Sequence, residues 1–222
     1  MTLRLFTILA FTAGLASAAE ATDRLKDATE ALKEVMGIPD NSIPQDLLSK
    51  AQCVIIVPDL KKGAFIVGGQ YGKGFAMCRN ANNVGWSAPG AVRLEGGSVG
   101  FQIGATVTDV FMLVMNKKGM DRLLSTKFTL GGEAAAAAGP VGRTTQAETD
   151  AAMTAEILTW SRSKGLFAGV SLKGSTLRED EDWNKELYGK KMTNRDIITK
   201  GTAAPAGAGE LLSELSRFSS RK

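Results

Sequence analysis

The hydrophobic pattern changes period near residue 52, and the change separates a helical entry from a β-rich body. Over residues 20–36 the apolar positions Leu25, Ala28, Leu32, Val35 and Met36 recur at helical spacing, and Gly37 with Pro39 ends the run. This predicts an amphipathic helix whose apolar stripe packs on the domain. Its polar face mixes Asp23, Arg24, Lys26, Asp27, Glu30, Lys33 and Glu34, with acids slightly ahead of bases. Residues 42–50 suggest a second short helix with Pro44 in its first turn.

From residue 53 the texture is that of strands. CVIIV at 53–57, ended by Pro58-Asp59, is a short continuous apolar run and predicts a buried strand. In KKGAFIVGGQYGKGFAMCR, glycines at 63, 68, 69, 72 and 74 predict turns, bulges and close backbone contacts. The pattern continues through residues 84–94 and 98–115. There Phe101, Ile103, Ala105 and Val107 alternate with Gln102, Gly104, Thr106 and Thr108, which predicts one face turned in and one polar. VFMLVM at 110–115 is apolar on both faces, so both should be covered. A short helix is expected over 117–124, leading into Phe128-Thr-Leu130.

Further on, residues 156–163 and 166–173 flank Lys164-Gly165, a two-residue hairpin signal. EDEDWNKELY at 179–188 has its acids at the amino end, as a helix dipole favours. Another short helix is expected over 194–200. GTAAPAGAG at 201–209 has linker composition, and residues 202–222 read as a flexible tail that could hold a short helix.

The first eighteen residues carry one Arg, an apolar run over 5–15, and Ala16 and Ala18 before Ala19. This predicts a signal peptide cleaved after Ala18, hence a periplasmic or secreted protein; the run is shorter than the about 20 apolar residues of a membrane span. Loss of Arg4 with the leader takes the formal charge from +4 to +3, too mild to imply nucleic acid. The chain has no histidine, which removes the commonest general base and metal ligand and every Ser-His or Cys-His pair. The two cysteines, Cys53 and Cys78, are either a disulfide or two buried small residues on neighbouring strands.

Motif chemistry is thin. GGQYGKG leaves three residues where the phosphate loop requires four and lacks its Ser or Thr. The carboxylates at 179–182 lack the Gly turn and terminal Glu of a calcium loop and read as a solvated helix start. Trp86, Trp160, Trp183, Tyr71, Phe75 and Phe167 form either core or an apolar ligand wall. Lysines pair at Lys61-Lys62, with Lys73 near the Gly-rich turns, and at Lys117-Lys118. Each contributes about 1 kcal/mol near an anionic bilayer.

Five blocks in order, VIIVPDLKKGAFIVGGQYGKG, GWSAPGAVRLEGGSVGFQIGATVTDVFMLVMN, LGGEAAAAAGPVGR, WSRSKGLFAGVSLKGSTL and NKELYG, closely resemble the SYLF domain, also called the Ysc-type actin-binding domain. The likeness runs from about Asp23 to Gly201. It implies binding rather than catalysis: eukaryotic relatives bind phosphoinositides and, in fungi, actin filaments, while exported bacterial relatives bind lipid. In relatives the lipid contact is linked to a basic amphipathic amino-terminal helix, which corresponds to the segment holding Arg24, Lys26 and Lys33. Here acids match or outnumber bases, a departure from that pattern. The resemblance also implies a strand where this chain has its alanines. Residues 133–138 are therefore expected to be extended and to enter a turn at Gly139-Pro140, with a helix as the other reading.

The expected protein is thus α+β: a leader at 1–18, one domain at 19–201 with a strongly curved, mainly antiparallel sheet or barrel-like core and peripheral helices, and the tail. Its expected function is non-enzymatic binding of phospholipid or another amphiphile at a bacterial envelope, with an anionic membrane surface as one target and no cofactor or metal. The alternative is a protein-interaction module of the envelope or host interface. The expected lipid contacts are Lys61, Lys62, Lys73, Tyr71, Trp86, Lys117, Lys118, Arg24, Lys26 and Lys33.

Overall fold

The structure is a computed structural model that describes residues 12–39, 41–64, 68–82, 84–98, 104–142 and 154–219. Helix α1 (Thr12–Met36) begins ahead of the expected cleavage point, and residues 1–11 lie outside the described ones. Leu25, Ala28, Leu32 and Val35 are fully buried, so its apolar stripe is spent on the domain. Helix α2 (Gln45–Lys50) follows, with Pro44 at its N-cap.

Strands β1 (Cys53–Ala64), β2 (Gly68–Cys78), β3 (Gly90–Ser98) and β4 (Gly104–Val114) lead to helix α3 (Lys117–Leu123) and strand β5 (Lys127–Thr129). Strands β6 (Ala136–Ala138), β7 (Ile157–Ser163), β8 (Leu166–Gly169) and β9 (Thr176–Glu179) complete the sheet. Helices α4 (Glu181–Tyr188), α5 (Asn194–Thr199) and α6 (Ala208–Phe218) end the described chain.

The strands form one sheet in the order β5-β9-β3-β2-β1-β4-β7-β6, with β8 also on β7, curled into a half-barrel. Its pairs are antiparallel except β6 with β7. Period-two alternation divides each central strand between two cores. Val54 and Ile56 join Phe75, Phe111 and Trp160 under α1, α4 and α6 on the outer face. Ile55 and Val57 join Leu94, Val110 and Met112 on the inner face, closed by Leu123, Phe128 and Leu130. Cys53 and Cys78 sit directly opposite each other on β1 and β2 and are disulfide-bonded.

The alanine run is mostly extended, as expected, with the turn lying just before it at 131–133 and Ala134 bridging to Leu130. Ala136–Ala138 form β6, parallel to β7, while in the preceding turn Gly131 takes a left-handed φ of 77° and Thr129 N donates to Glu133 Oε2 at 2.7 Å. The Gly-Pro corner has a packing cause. A Cβ at Gly139 would lie 2.0 Å from the Trp160 ring, and Trp160 Nε1 donates to Pro140 O at 2.8 Å. The Lys164-Gly165 hairpin forms as expected, with φ of 49° and 79°.

Two expectations are corrected and one is made specific. Phe101 and Ile103 lie outside the described residues, and Ala105 and Val107 do not face inward: both are exposed, Val107 by 52%. The helix layer ends before their row. The tail contains α6, whose Ala208, Leu211 and Leu215 are fully buried against the outer core, because its apolar residues fall on one helical face. Asp180, expected in a solvated helix start, is only 3% exposed; it caps α4 by accepting from Trp183 N at 3.1 Å.

Candidate functional site

An irregularity in β1 creates the candidate surface. Ile56 pairs with Phe75 but Lys61 pairs with Tyr71, so β1 gains one residue over β2 between them. Asp59 takes the strain with a left-handed φ of 51°, a region Asp tolerates better than most residues. Its N–H donates to Asp109 Oδ1 at 3.0 Å, and its Oδ2 accepts from Arg24 Nη1 at 2.7 Å. Asp109 also accepts from Arg162 Nε at 2.9 Å, and Arg162 pairs with Glu34 of α1. Burial pushes the Asp109 carboxyl above its usual range, with the Asp59 N–H pulling the other way.

Past the bulge the alternation of β1 is reversed: Leu60 and Lys62 face inward, Lys61 and Gly63 outward. The register sets Val107, Lys61, Tyr71 and Glu95 side by side across β4, β1, β2 and β3. The next row outward is Ala105, Gly63, Gly69 and Gly97. A Cβ at Gly63 or Gly69 would meet nothing within 4 Å, and one at Gly97 only Gly68 O at 3.9 Å. Among the described residues the result is a bare platform about 14 Å across, from a strand spacing of about 4.8 Å. Tyr71 is 45% exposed on it.

Charge on the platform is uneven. Glu95 lies between Arg93 Nε at 2.6 Å and Arg178 Nη1 at 3.6 Å, whereas Lys61 makes no ion pair among the described residues. Lys62, on the opposite face beside Gln70 and Thr106, is half-buried, and burial pushes its amine below the usual lysine range. Ser163 Oγ donates to Val107 O at 3.2 Å, which brings the Lys164-Gly165 turn to the platform's edge, while the exposed Leu166, beside the outward Phe167, turns to the other face of the sheet.

Of the expected contacts, Lys61, Lys62 and Tyr71 therefore come together at one end of the sheet. The others do not join them. Lys73 Nζ is 3.1 Å from Asp180 Oδ2 and 4.5 Å from the Trp183 ring centroid, inside the helix layer. Trp86 is interior: its Nε1 donates to Ser219 Oγ at 3.2 Å and Arg79 lies over its ring. Lys117 and Lys118 stand on α3, where Lys118 pairs with Glu156 at 2.6 Å. On α1, Arg24 is held by Asp59, Lys26 by Asp23 at 3.1 Å, and Lys33 by Glu210.

Sequence reasoning missed Val107, Glu95, Lys164 and the glycines 63, 69 and 97 as surface. Their separation along the chain hides the row they form. Only the Gly spacing and the hairpin signal at 164–165 hinted at it. Among the described residues no three His, Cys, Asp or Glu side chains assemble as a metal site, and no helix is long and apolar enough to cross a membrane.

Known proteins are similar to this sequence. The model of a family described as "Ysc84: Las17-binding protein actin regulator" matches residues 95–218, which include Glu95, Gly97, Ala105 and Val107 of the platform. An SH3 domain-containing protein of Schizosaccharomyces pombe is 39% identical over 173 residues, 76% of this chain and 40% of that protein. Human SH3 domain-containing YSC84-like protein 1 is 33% identical over 202 residues, 88% of this chain and 58% of its own length. Protein YSC84 of Saccharomyces cerevisiae is 34% identical over 177 residues, 78% of this chain and 37% of its own. The chain thus spans between 37% and 58% of the length of these relatives.

Proposed function

Given that this chain belongs to the Ysc84 (SYLF) family, we propose that it is a non-catalytic interaction module that engages a protein of the actin-regulatory kind. The observation that carries this reading is the bare platform of Lys61, Tyr71 and Val107 over its glycine floor. It continues strands whose other ends are anchored in the two cores, and the Asp59 bulge sets its orientation. The family description and the relatives' names supply the class of partner. Co-sedimentation with actin filaments tests it: the chain should pellet with filaments, and Lys61→Glu with Tyr71→Ala should abolish this while leaving the urea midpoint unchanged. A double variant that pellets like the parent would remove the platform from the function.

A second reading is docking on an anionic phospholipid surface. It is favoured by Lys61 and Lys62, which among the described residues put a cation without an acid partner on each face of the same strand end. Sedimentation with anionic and zwitterionic vesicles should show binding to the former that falls with salt. The fully buried stripe of α1 and the ion pairs of Arg24, Lys26 and Lys33 argue that this helix is not the docking element. We also infer export through the leader at 1–18 to the periplasm or beyond. Amino-terminal sequencing of the secreted protein should begin at Ala19.

A further inference from the structure

The platform's shape and charge specify more about its partner than the family does. On the outer face the helix layer ends at Lys73, which contacts Asp180 and Trp183 of α4, and at Arg24 of α1, which closes on Asp59. Beyond that line Lys61, Tyr71 and Val107 stand up from a floor of Ala105, Gly63, Gly69 and Gly97. The two features make a shelf: a floor recessed by the lack of side chains, backed by the end of the helix layer. A helix with its side chains is about 10–12 Å wide and advances about 5.4 Å per turn, so three turns cover the four strands.

Of the carboxylates around the shelf, Glu95 is committed to Arg93 and Arg178, while Asp59 shares Arg24 with Asp27 at the side next to α1. Lys61 and Lys164 have no ion pair among the described residues, so on the part of the shelf away from α1 the charge left to recognise a partner is positive. Tyr71 and Val107 add exposed apolar area. We propose that the shelf binds an acidic amphipathic helix of a partner protein, laid across β4, β1, β2 and β3 as a further member of the layer formed by α1 and α4. The proposal rests on the protein-interaction reading above. Carboxylates flanking the partner's apolar stripe meet Lys61 and Lys164, while the stripe covers Tyr71 and Val107 and seats on the glycines. A flat bilayer would leave the recessed floor unfilled, whereas the ridge of a helix fills it.

Two synthetic helical peptides of about 18 residues test this, sharing one Leu/Ala stripe but flanked by Glu in one and Lys in the other. They are titrated by fluorescence anisotropy, with actin filaments and phosphatidylserine vesicles as competitors. The Glu peptide should bind and weaken with salt, and the Lys peptide should not bind. Lys61→Glu, Tyr71→Ala and Gly69→Trp should each weaken the Glu peptide about tenfold or more, while Lys117→Glu on α3 leaves it unchanged; circular dichroism and urea melts confirm folding. Equal binding of both peptides, no binding of the Glu peptide, undiminished binding by Gly69→Trp, or displacement by vesicles alone would overturn the proposal. Filaments that bind while the Glu peptide does not overturn the helix and leave the protein-interaction reading standing. Peptide binding without filament binding supports the shelf and rejects the filament.

Discussion

Strand β2 passes through two unlike surroundings on the same outer face. At Phe75 and Met77 it lies beneath helices, fully buried. At Gly69 and Tyr71, a few residues away, it faces solvent. The inner face does not divide in this way along the same stretch, since Gly72 opposes Leu60 and Val57 and Gln70 Nε2 donates to Ser175 Oγ. The lesson is that one sheet serves as scaffold and as surface. Which it does depends on where the helix layer stops, and the bulge at Asp59 lets both kinds of residue follow each other on a continuous strand.

Tests that separate the two halves can be ranked by expected effect. Replacing Cys53 and Cys78 together by Ser should cost about 3 kcal/mol in urea denaturation, since the bond closes a loop of 25 residues' separation in the covered half. Gly74→Ala should cost about 2 kcal/mol by overpacking, because its Cβ would fall 2.0 Å from Ile56 O. Asp180→Ala should cost about 1 kcal/mol by removing the cap of α4, and it releases Lys73. Gly69→Ala, on the same strand but in the bare half, should stay within about 0.5 kcal/mol. A large loss there would show that the platform is packed after all.

The smallest effect concerns pH. Burial lowers the Lys62 pKa in the folded chain, so between that value and the ordinary 10.5 the unfolded chain binds more protons. The stability linked to Lys62 is therefore complete above the unfolded pKa and is lost as pH falls through the folded one. Lys62→Met should raise the urea midpoint at neutral pH and flatten its rise toward alkaline pH. Identical pH profiles for parent and variant would show that Lys62 is solvated.

Much of the fold was legible because it is set locally. The stripe of α1, the continuous run of β1, the 164–165 turn and the α4 segment each carry a period or turn chemistry within a few residues. The alanine run was less so. Its small side chains suit several backbones, and the constraint on Gly139 comes from Trp160, which arrives from another strand. The candidate site was legible only in part. Lys61, Lys62 and Tyr71 were chosen for charge and aromaticity near glycines, a criterion that selected Lys73 and Trp86 equally well although both are held inside the helix layer.

The sequence by itself determined the elements, the two-sided burial of the central strands and the family, because periodicity and ordered motifs are properties of neighbouring residues. Tertiary structure decided that Cys53 meets Cys78, that α6 completes the outer core, and that Val107, Lys61, Tyr71 and Glu95 stand in one exposed row. Those outcomes depend on strand register across distant segments and on one inserted residue near Asp59. A shift of one position in pairing exchanges the faces of every side chain beyond it, and no local pattern records which register the assembled sheet adopts.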